Sequence, residues 1–107
     1  MNARRRRGAP ELIVISWRDI PAQVTATANG VKETAVLHDR FQHAIDRAAA
    51  VAGFTETQAY VGEWRREPQP LEAEPAEVVA ALAAELDAAY DRERLEAMVA
   101  SGGLDHD

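Results

Sequence analysis

Residues 11–21 read ELIVISWRDIP, and the reading of this stretch decides the fold. Leu12, Ile13, Val14 and Ile15 form the only unbroken run of large aliphatic residues in the chain. Residues of a strand point alternately to opposite faces, so a run apolar on both predicts a central strand covered on both sides, or partly covered on the second. Trp17, Arg18 and Asp19 follow at once. An aromatic ring, a guanidinium and a carboxylate therefore stand together at a strand end.

Outward from this strand the pattern stays short-ranged. Pro21 can open a second strand, where its missing N–H does least harm. Gln23, Thr25 and Thr27 then alternate with Val24, Ala26 and Ala28 up to Asn29-Gly30, a pair suited to a type I′ turn because both positions need positive φ. Pairing Ala28 with Val31 predicts a hairpin with Ala26 opposite Glu33, Val24 opposite Ala35 and Ala22 opposite Leu37. That register puts Thr25–Thr34, Thr27–Lys32 and Gln23–Val36 on the other, mostly polar face. A helix follows over 39–52, with Phe41, Ile45, Ala48 and Ala52 at helical spacing and Arg40, Asp46 and Arg47 on its wet side. Gly53 ends it, and Phe54 can fold back on its last turn.

Residues 55–70 (TETQAYVGEWRREPQP) carry two patterns. Thr55 and Gln58 have the spacing of a helical capping box, but Thr57, Tyr60, Val61 and Trp64 favour strand and Gly62 weakens a helix. The expectation is a strand over 59–66. From Pro75 a long helix is predicted, with Val78, Val79, Leu82, Leu86 and Tyr90 on one face; Asp91 can cap a second segment carrying Leu95, Met98 and Val99. The order β-β-β-α-β-α implies an α+β two-layer sandwich: a mainly antiparallel sheet with two helices on one face. Residues 1–10 read as a disordered basic tail, 11–100 as one domain, and 101–107 as a disordered acidic tail.

A length of 107 residues suits one domain with one core. The net charge is −6, unevenly spread: residues 1–54 hold eight Lys/Arg and five Asp/Glu, and residues 55–107 hold four and thirteen. An acidic chain disfavours nucleic acid, which demands clustered positive charge, and leaves Arg4–Arg7 as the only segment for such a reading. The acidic second half suits steering towards a basic partner, or is simply a solvated helix surface. The absence of cysteine excludes disulfides, thiolate catalysis and cysteine metal sites. No stretch has the length of a membrane span, and the apolar run after Arg7 is too short for a secretory leader, so the expected compartment is the cytoplasm.

The segments SWRDIPAQV, RFQHAIDRAA and AYVGEWRR together resemble a small bacterial family called "virulence factor". The resemblance rests on Trp17, Arg18, Asp19, Ile20 and Pro21, then Arg40, Phe41, Ala44, Ile45, Asp46 and Arg47, then Tyr60, Trp64 and Arg65. It covers residues 11–66 and extends more loosely through the last helix. The family's domain occurs alone and attached to larger scaffold-like proteins with helical repeats, and its name assigns no reaction. The resemblance also implies a link to folate and corrinoid one-carbon metabolism, which suits an accessory subunit of a larger metabolic enzyme.

Weighed as chemistry, Trp17-Arg18-Asp19 offers a stacking face, a bidentate fork and a carboxylate to orient it. The plainer reading is a core tryptophan beside an Arg–Asp turn contact. Trp64-Arg65-Arg66 would join it in one aromatic, basic patch if its strand lies beside the first, a composition found in interface hot spots; the plainer reading is a second core tryptophan with exposed arginines. Asp39 and His43 share a helical face, but Ser16 and Ser101 lack the surroundings of a nucleophile. His38 and His43 fall on different faces, and His106 lies in the tail. No glycine-rich phosphate loop is present. No cofactor or metal is expected.

The reading favoured is a non-enzymatic interaction module that binds a protein partner through Trp17, Arg18, Asp19, Tyr60, Trp64, Arg65 and Arg66 or through the last helix; a homodimer is compatible with it. The competing reading is a ligand-binding or enzymatic subunit using Arg18, Asp19 and Arg65 on an anionic metabolite.

Overall fold

The computed structural model describes residues 10–54 and 56–105. Arg4–Arg7, Thr55 of the possible capping box and His106 fall outside these residues. Strands β1 (Glu11–Trp17), β2 (Ile20–Ala28) and β3 (Val31–Val36) are followed by α1 (Asp39–Val51), a short α2 (Thr57–Val61), β4 (Trp64–Gln69), α3 (Pro75–Ala89) and α4 (Arg92–Ala100). The sheet order is β3-β2-β1-β4 and every neighbouring pair is antiparallel. This is the expected α+β sandwich. Among the described residues four helices stand where two were expected.

The β2–β3 hairpin has the register its sequence sets, from Ala28 opposite Val31 to Gln23 opposite Val36, and Leu37 N–H donates to the Ala22 carbonyl. Asn29 and Gly30 have φ of 53° and 79°, as a type I′ turn needs. Val24 and Ala26 are fully buried, while Thr25 and Thr34 pair their hydroxyls at 3.3 Å on the face without helices. Helix α3 packs over β2 and β3 and joins Leu12, Val14, Val24, Ala26 and Val79 in one core cluster. A second cluster gathers Trp17, Ile20, Leu37, Phe41, Ile45, Leu95 and Met98 between β2, α1 and α4. A bulge in β2 opposite Ile15 and Ser16 joins the two regions; it puts Trp17 opposite Ile20 and so into this second cluster.

Helix α1 starts on His38, whose Nδ1 accepts the Arg40 N–H at 3.1 Å, and ends as expected. Phe54 N–H returns to the Ala49 carbonyl at 2.9 Å past Gly53, the Schellman arrangement. Arg40 departs from expectation. It is half-buried, and its Nη2 donates to the carbonyls of Asp87 (2.7 Å) and Tyr90 (3.3 Å), which closes the C-terminus of α3 with a cation where the helix dipole is negative.

Residues 56–70 form a helical turn and then a strand. Helix α2 takes Thr57–Val61, where a strand was expected, and β4 begins only at Trp64. The Gly62 N–H closes back on the Gln58 carbonyl at 3.0 Å, so the glycine ends a helical turn here and the strand propensity of Tyr60 and Val61 goes unused. The long last helix breaks at Tyr90. Asp91 caps α4 by accepting the Arg94 N–H at 2.8 Å, which satisfies a donor that a new helix leaves open. Residues 101–105, expected as a disordered tail, fold back instead: Gly102 and Gly103 are buried, and Gly103 N–H donates to the Met98 carbonyl at 2.8 Å.

Candidate functional site

The Trp17-Arg18-Asp19 and Trp64-Arg65-Arg66 segments do lie side by side. β4 pairs with β1 so that Trp17 is opposite Trp64, Ser16 opposite Arg65 and Ile15 opposite Arg66. Between β1 and β2 the chain turns in two residues, Arg18 and Asp19, with Arg18 at φ 50°. A side chain in that left-handed region is uncommon, and its backbone is held from outside: Arg18 N–H donates to the Glu63 carbonyl at 3.0 Å and Asp19 N–H to the Gly103 carbonyl at 2.9 Å.

Trp17 is wholly buried. Its indole N–H donates to the Tyr60 carbonyl at 2.7 Å, its ring stacks on the Tyr60 ring at 5.6 Å, and Phe54 meets it edge-on at 6.0 Å. Tyr60 in turn meets the half-buried Trp64 edge-on at 6.1 Å. Helix α2 exists at this point to deliver both the Tyr60 ring and its carbonyl. The last glycine completes the pocket: a Cβ on Gly103, which sits at φ 96°, would stand 2.7 Å from Trp17 Cζ3.

The charges above this aromatic cluster are matched to one another. Arg18 Nε binds Glu63 Oε1 at 2.9 Å, its Nη1 donates to the Gly102 carbonyl at 3.1 Å, and its guanidinium lies 4.6 Å from the centre of the Phe54 ring. Arg65 Nη1 binds Asp19 Oδ1 at 3.1 Å, and the other Asp19 oxygen accepts the Asp105 N–H at 2.8 Å. Asp105 is also bound by Arg94 at 2.6 Å. Both guanidiniums of the possible anion site thus face carboxylates of the same chain. Arg66 is exposed and, among the described residues, forms no ion pair. The corner therefore works as a clasp that ties the β1–β2 turn to α2, β4 and the end of α4.

At the opposite end of β1 the surface is open. Leu12, Val78, Leu82, Ala81 and Pro70 line a groove of about 580 Å³ between α3 and β4, and Glu72, Glu77 and Glu85 stand along it. Only Pro75 and Val79 of α3 are fully buried. Val78 and Leu82 are half-buried, so the sheet uses part of this helix's apolar stripe and leaves the rest in the groove. The sequence announced the stripe and left open how much of it the sheet would use, which only the packing of α3 on the sheet decides.

No hydrogen bond joins Asp39 to His43 among the described residues, and no group of three or more His, Asp or Glu side chains among them could hold a metal ion. No helix of the described residues is long and apolar enough to cross a membrane.

No curated protein and no solved structure matches this chain. The model of a protein family described as "Virulence factor" matches residues 15–99, from within β1 almost to the end of α4. That span holds the whole Trp17–Asp19 turn, α1, the Tyr60–Arg66 segment and α3. With well over half of its length matched, the chain belongs to the Virulence factor family.

Proposed function

We propose that this member of the Virulence factor family is a non-enzymatic interaction module, an accessory subunit that docks a basic, amphipathic segment of a protein partner in the groove between α3 and β4. The observation that carries the reading is the half-buried part of the α3 stripe that lines the groove. Val78 and Leu82 continue the core outward to Leu12 and Pro70, and carboxylates at Glu72, Glu77 and Glu85 flank this apolar floor. Apolar surface left beside charge of one sign is how a groove selects a helix or strand of opposite charge. The carboxylates would set encounter rate and specificity, and the apolar floor most of the affinity.

Affinity capture from the native organism's lysate tests this, with wild type beside Val78→Ser/Leu82→Ser and Arg65→Ala/Arg66→Ala. One stoichiometric partner is expected, lost with the groove variant, retained by the strand-end variant, and weakened by salt. A partner retained by the groove variant and lost with the arginine variant would move the interface to the Trp-Arg corner. Capture of nothing by any of the three overturns the accessory-subunit reading.

A further inference from the structure

The two edges of the sheet differ. β4 carries Arg65, Arg66 and Glu67 followed by Pro68, the charges and missing N–H that keep an edge from pairing further. β3, VKETAV, has no proline and only Lys32 and Glu33 as charges, and its valines are among the most exposed large apolar residues: Val31 at 49% and Val36 at 75%. No described segment pairs with its outer side.

We propose that the β3 edge is a self-association surface, on which a second copy of this chain pairs antiparallel about a two-fold axis with Thr34 opposite Thr34. The register follows from the hairpin. A two-residue turn makes its flanking pair, Ala28 and Val31, hydrogen-bonded, so Val31, Glu33 and Ala35 direct their N–H and C=O groups to β2. Lys32, Thr34 and Val36 direct theirs outward.

A two-fold axis through the edge must pair residues of the same face, which restricts its centre to one residue. Centring on Thr34 pairs Thr34 with Thr34 and Lys32 with Val36 in both directions, so that all three outward residues are satisfied in each copy. It sets the Lys32 stem against the exposed Val36 and extends the Thr25–Thr34 hydroxyl row across the joint. Centring on Glu33 leaves Val36 unpaired and puts two carboxylates directly opposite, which is destabilising. The contact is isologous and closes at two copies. It uses neither the α3 groove nor the Trp17 corner.

The absence of cysteine makes the test clean. In the proposed register two Thr34 Cα atoms lie about 5.5 Å apart, inside the range of about 4.4–6.8 Å that a disulfide spans. Two Lys32 Cα atoms are offset by four residues and lie about 13 Å apart or more. Under mild oxidation Thr34→Cys is expected to give a disulfide dimer several-fold faster than Lys32→Cys, with both cysteines equally accessible to a thiol reagent. Without oxidant, wild type is expected to sediment as a dimer that dissociates on dilution from millimolar to micromolar. Thr34→Pro removes an outward N–H and the exposed Thr25–Thr34 hydroxyl pair but no β2–β3 ladder bond, so it is expected to sediment as a monomer with an unchanged circular dichroism spectrum. Wild type monomeric at every concentration, equal crosslinking of the two cysteine variants, or a dimer that survives Thr34→Pro would each overturn the proposal.

Discussion

The two ends of β1 lie in one strand and do opposite things. At Trp17 the strand ends inside a cluster built from distant parts of the chain: Phe54 and Tyr60 on the ring, Trp64 behind Tyr60, Glu63 and Gly102 on Arg18, Gly103 under the indole. At Leu12 the same strand lies between Ala26 and Gln69, and among the described residues the groove beside it is walled by α3 and residues 70–73, with Val78 and Leu82 half-buried. The difference separates two kinds of apolar surface that composition alone cannot distinguish. Surface buried at the Trp17 end stabilises the fold, whereas the half-buried stripe at the Leu12 end is the surface proposed for a partner.

The largest effect that would break this contrast is expected at Trp17. The side chain has no solvent exposure and donates a hydrogen bond to the Tyr60 carbonyl. Trp17→Ala should destabilise the domain by about 3–5 kcal/mol, a fall in Tm of roughly 15–30 °C for a chain of this size. Thermal unfolding followed by circular dichroism measures it. A loss below that of an ordinary surface substitution would mean that the clasp is dispensable.

Gly103 sharpens the same point at smaller amplitude. Alanine there meets both a φ of 96° and the Trp17 ring at 2.7 Å, whereas alanine at Gly30 meets a φ of 79° and open space. Gly30→Ala should cost about 1–2 kcal/mol, the left-handed penalty alone. Gly103→Ala should cost about 2–4 kcal/mol, because an overpacked ring adds to that penalty. Urea midpoints of the two variants, measured side by side, give the ring's share as their difference. Equal midpoints would show that the C-terminal glycines do not press on Trp17.

What was legible in the sequence follows the range of the interactions. Asn29-Gly30 and Gly53-Phe54 announce themselves because their chemistry is local, and both turns formed with the expected register and hydrogen bonds. The Asp91 cap was visible for the same reason. The Arg18-Asp19 turn was expected, but its support was not visible, since it is held by Glu63 and Gly103, distant in sequence. Arg40 looked like a solvated helix residue until α3 ended within its reach. In 55–70 the strand expected over 59–66 was displaced at its start: Thr57, Tyr60 and Val61 favoured strand but lie in a helix, and Gly62 separates that helix from the strand that begins at Trp64. Residues 101–105 read as a tail because glycines usually mark a chain's release; here their lack of a side chain lets the backbone lie against an indole. Of the possible site, the adjacency of the two Trp-Arg segments could be framed as a condition and was met. That their arginines face Asp19 and Glu63 depended on geometry no spacing reveals.

The groove end should respond in the opposite sense. Val78→Ser/Leu82→Ser removes half-buried apolar groups at the edge of the sheet–α3 core. Each substitution should cost about 1 kcal/mol or less. The double variant should keep its Tm within about 10 °C of wild type while partner capture is lost. A Tm loss as large as that of Trp17→Ala would erase the distinction between the two ends.

The smallest expected effect concerns the outer surface of the dense end. Arg47 grips Glu96 with two hydrogen bonds, 2.6 and 2.8 Å, and so ties α1 to α4 above the Phe41–Ile45 core. Both side chains are about half exposed, which leaves the pair open to screening by salt. The Arg47 hydrogen bonds hold the Glu96 carboxyl below the ordinary carboxylate range. A carboxyl depressed in the folded state stabilises the fold at pH above its unfolded value, and that contribution disappears as pH falls through the folded value. Wild type and Glu96→Gln should therefore differ slightly in urea midpoint at neutral pH, less in high salt, and not at all in strong acid. If the difference persists in acid, its origin is packing of the Glu96 stem and not its charge. If it rivals that of Trp17→Ala, the two helices are held together by their surface and not by the core beneath, and the Trp17 end loses its claim to be the stabilising one.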